Sequence, residues 1–205
     1  MFKHLHRHGI AAALLACAAV QAQAAIVTPV DAVASSTHFT VTAKSLIDNS
    51  GMVGDLHGGA WDTMWIKEGT WPVDTTATLT FDLGSVHDIS AALVWQYNSD
   101  IDYTRGVKDF YVKTSTDGVQ FSTVGGLHTL EQAKGGLIPA QAVSFSAQAR
   151  FVQFDIRTNF DAQWPWVGLS EVKFVAAPVP EPGTYALLGL GLGAIGLLVR
   201  RRQQG

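Results

Sequence analysis

The chain has 205 residues, a formal charge of −3 and 47% hydrophobic residues. That is enough for one domain with a sizeable core. Its acidic balance argues against nucleic acid or anionic headgroups as partners. A single cysteine, Cys17, excludes an intramolecular disulfide, so burial must supply the stability.

The N-terminus reads as a signal peptide over 1–24. Lys3 and Arg7 form a basic region, Ile10 to Val20 is apolar, and Ala22-Gln23-Ala24 is a small-x-small site for signal peptidase. Cys17 and the alternating His4, His6 and His8 leave with it. Five of the 14 basic residues (Lys3, Arg7, Arg200, Arg201, Arg202) and one of the 17 acidic ones (Glu181) lie outside 25–178. The segment between therefore holds nine basic and 16 acidic residues, a formal charge of −7.

Periodicity over 25–175 is that of strands. Within Thr76–Gly84, Leu79, Phe81 and Leu83 share one face. Ile89, Ala91, Leu93, Trp95 and Tyr97 alternate likewise. Phe110 and Val112 precede the turn Thr116-Asp117-Gly118. Val143 and Phe145, then Val152, Phe154 and Ile156, then Val172 and Phe174 complete the pattern. Short strands separated by Gly, Asp and Asn clusters predict an all-β sandwich or barrel.

Phe81-Asp82-Leu83-Gly84, Arg105-Gly106-Val107-Lys108-Asp109-Phe110, Ser115-Thr116-Asp117-Gly118, Arg150-Phe151-Val152 and Gly168-Leu169-Ser170-Glu171-Val172 follow one another in this order. The series resembles the landmarks of the discoidin domain, the coagulation-factor type C module, over about His38 to Val175. The resemblance implies a jelly-roll β-sandwich of the galactose-binding-like fold, a framework that binds glycans, lipids or proteins. It also implies a structural Ca²⁺ held by a loop acid and a glutamate of the last strand, positions matched here by Asp48 and Glu171. The loop from Asp48 to Trp61 is longer than the family pattern.

No G-x-S-x-G elbow, H-E-x-x-H pair or phosphate loop is present. Asp100 and Asp102 are the acid pair available to a hydrolase, and a solvated acidic loop is the alternative reading. His38, His57, His87 and His128 show no ligand spacing. For glycan binding the signal is aromatic, because a flat, weakly hydrated ring stacks on the apolar face of a sugar. Trp164 and Trp166 flank Pro165, and Trp61, Trp65 and Trp71 lie in a Gly- and Asp-rich stretch. The candidate contacts are Trp164, Trp166 and Trp61, with Arg105 and Arg157 as hydrogen-bond donors to hydroxyls. Trp95, on an apolar strand face, is expected in the core.

A Pro-rich linker over 176–183 leads into an apolar run and a basic end. Val179-Pro180-Glu181-Pro182, the run Tyr185–Val199 and Arg200-Arg201-Arg202 resemble the PEP-CTERM sorting signal. The resemblance implies one transmembrane helix over 184–199 and a basic cytoplasmic tail over 200–205. It further implies an exosortase that processes the tail at the inner membrane, and export to the cell surface or a polysaccharide matrix. The alternative is a structural or adhesion protein that contacts other proteins and binds no sugar.

Overall fold

Alternation of apolar and polar residues puts Leu79, Phe81, Phe110, Val152, Phe154, Ile156, Val172 and Phe174 on inward faces, all fully buried. The computed structural model describes residues 24–178 and 182–203. The predicted signal peptide up to Gln23, and Val179, Pro180 and Glu181 of the sorting motif, lie outside them. Eleven strands are described: β1 Ile26–Val27, β2 Asp31–Ala34, β3 Met52–Val53, β4 Leu56–His57, β5 Trp65–Ile66, β6 Ala77–Gln96, β7 Val107–Ser115, β8 Ser122–Thr129, β9 Ile138–Pro139, β10 Gln141–Asn159 and β11 Gly168–Ala176.

The main sheet runs β1-β11-β6-β10-β7-β8, with β2 also on β6 and β5 on β11. β6 and β10 are long because each runs through both layers of a jelly-roll sandwich. Ala77–Asp82 pairs with Ile156–Phe151, flanked by β2 on one side and β7 on the other. His87–Val94 pairs with Ala149–Gln141, with β11 and then β1 alongside. Between the halves lies Gly84, whose φ of +81° is open to glycine and strained for other residues. There the register with β10 shifts, so both strands bend into the second layer.

The layers meet through rings. Phe174 of β11 stands 5.5 Å from Phe81 of β6 and 6.3 Å from Phe154 of β10, and Phe110 of β7 lies 4.8 Å from Phe154. On the outer side, Arg150 grips Asp82 through two hydrogen bonds of 3.0 and 2.9 Å. The Arg150 guanidinium holds the Asp82 carboxyl below the usual carboxylate range. Two of the quoted sequence landmarks thus contact each other.

One predicted face is inverted. Ala92 and Val94 are the residues of the second half of β6 that enter the main core, together with Ile89. Ala91 and Leu93 are only half-buried. Ser90 is passed over by both neighbours: Ala91 pairs with Ser144 and Val175, while Ile89 pairs with Ala147 and Ala176. A bulge of this kind exchanges inner and outer faces beyond it. Trp95 is still buried, under the loop whose Asp55 carbonyl accepts its indole N–H at 3.0 Å. Tyr97 joins a second cluster with Val41, Met64 and Ile66.

The tail is a separate unit. Its helix α1 spans Pro182–Gln203 and carries Arg200, Arg201 and Arg202 in its last turn. Among the described residues no helix is long and apolar enough to cross a membrane. The predicted membrane-spanning segment 184–199 falls within helix α1.

Phe154 contacts rings of both layers, so Phe154→Ala should lose about 3–5 kcal/mol through lost burial and a cavity. Urea unfolding measures this. A loss below about 1 kcal/mol would show that the phenylalanine cluster does not hold the layers together.

Candidate functional site

Three segments converge at one end of the sandwich, two bringing aromatic rings and the third a guanidinium. The loop between β10 and β11 carries Trp164 and Trp166, and the loop between β5 and β6 carries Trp71. The 3-10 helix Tyr103–Arg105 precedes β7. Trp164 and Trp166 ring centroids are 5.7 Å apart, and Trp71 meets Trp164 edge-on at 6.1 Å. The Arg105 guanidinium lies 5.1 Å from the Trp166 centroid, within cation–π range. Trp71 is 65% exposed and Trp164 45%, whereas Trp166 packs against the second core cluster. Trp166 is thus the base on which the exposed pair stands.

The loops are held. Asn159 at the end of β10 is buried, and its side-chain N–H groups donate to the Trp164 and Trp166 carbonyls at 2.8 and 2.9 Å. The Asp161 carbonyl accepts from the Trp164 amide at 3.1 Å. A Cβ at Gly69 would lie 2.6 Å from Trp166 Cε2, so only glycine lets that backbone approach the indole. Buried Lys67 donates to the Asp74 carbonyl across the base of the Trp71 loop. Asp74 in turn accepts from the Thr76 amide and hydroxyl at 2.8 and 2.7 Å. A platform fixed this way loses little entropy when a ligand settles on it.

The structure joins Trp164, Trp166 and Arg105 and leaves Trp61 and Arg157 apart from them. Trp61 sits exposed on its own helical turn, Trp61–Thr63, without a ring partner among the described residues. Arg157 bonds Asp155 at 2.6 Å and covers Tyr111 at 5.5 Å. Trp71, absent from the candidate contacts, completes the platform. Its signal was the Trp-Pro pair that it shares with Trp164, since a residue before proline is kept out of the helical region and favours extended loops.

Asp100 and Asp102 each have local work. Asp102 accepts from the Thr104 amide and hydroxyl at 3.0 and 2.6 Å and from Arg105 Nε at 3.3 Å. Burial pushes its carboxyl up, but these bonds outweigh that and hold it below the usual range. Asp100 accepts from the Tyr103 hydroxyl at 2.9 Å.

Glu171 is 0% exposed, and neither carboxylate oxygen has a hydrogen-bond partner among the described residues. Burial pushes its pKa up to about 8, and nearby Asp48 adds to this. Lys173 and the Asn49 backbone N–H, near but outside good hydrogen-bond geometry, oppose it. Lys173 Nζ is 4.0 Å from Glu171 Oε1 and donates to Asn49 Oδ1 at 2.6 Å. Among the described residues no group of three or more His, Cys, Asp or Glu could hold a metal. An orphaned buried carboxylate beside a second acid nevertheless fits a cation completed by carbonyl oxygens.

Fold and loops define a discoidin-like module, and the chain belongs to the F5/8 type C domain family, whose model matches residues 31–172. Residues 178–202 match the PEP-CTERM protein-sorting motif. No curated protein is a significant match. Among solved structures the chain is similar to CpGH89CBM32-5 from Clostridium perfringens, solved with GalNAc-β-1,3-galactose. Identity is 19% and TM-score 0.56, over 75% of this chain and 100% of that one. It is also similar to the family 32 CBM of C. perfringens NanJ in complex with galactose, at 15% identity and TM-score 0.56, over 75% and 99%. A third is chitosan-binding module 1 from a Paenibacillus sp. IK-5 chitosanase/glucanase, at 17% and 0.51, over 75% and 100%. These likenesses establish the fold.

Exposure separates the tryptophans energetically. Trp164→Ala should shift stability by no more than about 0.5 kcal/mol, as exposed substitutions do. Trp95→Ala should cost about 3–5 kcal/mol. Paired thermal melts check both, and a strongly destabilised Trp164 variant would mark that residue as packing.

Proposed function

We propose that this is an exported, non-catalytic carbohydrate-binding protein, sorted through its PEP-CTERM tail to the cell surface or extracellular matrix. The observation that carries the reading is the pair of exposed, rigidly supported indoles, Trp71 and Trp164, with the Arg105 guanidinium beside their base. Indole faces take the apolar face of a pyranose, and the guanidinium donates to hydroxyls. Sugars named for the structural neighbours, galactose and GalNAc-β-1,3-galactose, support the class of ligand. Trp61 and Arg157 play no part in this platform. In this reading signal peptidase cuts after Ala24, and an exosortase at the inner membrane recognises Val179-Pro180-Glu181-Pro182 and processes the tail.

A Ca²⁺ ion, held by Glu171 and Asp48, belongs to the same proposal as a structural group. Its charge would offset the repulsion between the two acids and order the loop after Asp48.

Titration calorimetry of the domain against galactose, GalNAc-β-1,3-galactose and chitosan oligomers tests the binding reading. Saturable binding that falls about tenfold or more in Trp164→Ala and Trp71→Ala, in line with tryptophan's weight at binding hot spots, is expected. No saturable signal from any of them would favour a structural protein. For the ion, wild type should melt higher in Ca²⁺ than in EDTA, and Glu171→Gln should melt alike in both. Identical wild-type curves would leave Lys173 as the counter-charge of Glu171.

A further inference from the structure

A polar cleft of about 450 Å³ is lined in part by the Trp71 loop. Thr70, the residue before Trp71, lines it together with Lys67 and Asp74 from the same loop. Ser36 after β2 and Thr78 on β6 close it, and Asp155 and Arg157 on β10 form its floor. Lys67 is the buried element, its side chain 4% exposed.

The charges of this cleft cancel. Lys67 faces Asp74 at 3.6 Å. Asp155 takes both Arg157 and Lys113, each at 2.6 Å. An ionic ligand would have to displace a partner already in place, at the cost of leaving a charge unpaired. The side chains of Ser36, Thr70 and Thr78 carry hydroxyls without a hydrogen-bond partner among the described residues. Paired charges and free hydroxyls in a cleft of this size match an uncharged, polyhydroxylated ring rather than an anion, a cation or an apolar group.

Cleft and platform share one loop, clamped at its base by Lys67. The residue that lines the cleft, Thr70, is the one next to Trp71 of the platform. We infer that the cleft is a second sugar subsite, taking an uncharged residue adjoining the one on the tryptophan platform, so that the protein reads an oligosaccharide rather than a single terminal sugar. This rests on the platform reading above.

Calorimetry with neutral galacto-, cello- and N-acetylchito-oligosaccharides of one to four residues tests it, with oligogalacturonates as the charged arm. In at least one neutral series, affinity should rise about tenfold beyond the monosaccharide, worth one or two net hydrogen bonds. Ser36→Leu, which fills the cleft, should remove that gain and keep monosaccharide affinity. Thr78→Val, which keeps shape and loses a hydroxyl, should reduce it. Monosaccharide binding without a gain along the chain, or a gain indifferent to both variants, overturns the subsite and leaves the platform standing. Preference for oligogalacturonates overturns its neutral character. Absence of binding in every series overturns subsite and platform together.

Discussion

The contact between Phe174 and the rings of Phe81 and Phe154 is the constraint on which the rest of the structure depends. Phe81 and Phe154 belong to the first layer and Phe174 to the second, so their burial closes the sandwich. The same two strands, β6 and β10, supply both layers, so the bend at Gly84 and the bulge at Ser90 decide which side chains reach this core. With Cys17 outside the sandwich, no disulfide shares the task. Hydrophobic burial carries it, helped at the bend by Arg150 on Asp82.

Fixing the layers fixes the loops. β10 ends at Asn159 and β11 begins at Gly168, and the loop between them is tied to the β10 end through the Asn159 amide. A Cβ at Gly168 would lie 2.7 Å from the Trp65 carbonyl, so β5 and β11 approach closely where the Trp71 loop departs. The exposed indoles are thus set by backbone contacts that originate in the core, and their burial elsewhere is neither available nor needed. Glu171 sits on the same strand as Phe174 yet outside the phenylalanine cluster, and it is the one fully buried acid without a bonded partner among the described residues.

Much of this was legible in the sequence, for physical reasons that differ by residue. Leu79, Phe81, Val152 and Phe154 announce their face because nothing interrupts the alternation there. Leu93 and Trp95 gave the opposite face because the bulge at Ser90 leaves no mark in composition. β8 was not visible, since its residues are mostly exposed and Gly125 and Gly126 interrupt its apolar pattern. Trp164, Trp166 and Arg105 were legible as types, but their convergence depends on loop geometry. Trp61, of the same type, stands apart. Lys67 offered no signal at all: a lysine is ordinarily exposed, and only the closed loop explains its burial.

The positions of the chain ends follow from the same strands. β1 pairs with the end of β11, Ile26 with Val175, and the Ala25 carbonyl accepts from the Ala176 amide at 2.8 Å. Both ends of the domain therefore leave side by side. β11 runs nine residues from Gly168 to Ala176, which at about 3.3 Å per residue is roughly 30 Å. Trp166 stands just before one end of that strand, and Pro178 just after the other. Pro178 thus lies at the end of the sandwich remote from the indoles. The side chains that carry the platform therefore sit at the end of the domain opposite to both of its chain exits, Ala25 and Pro178.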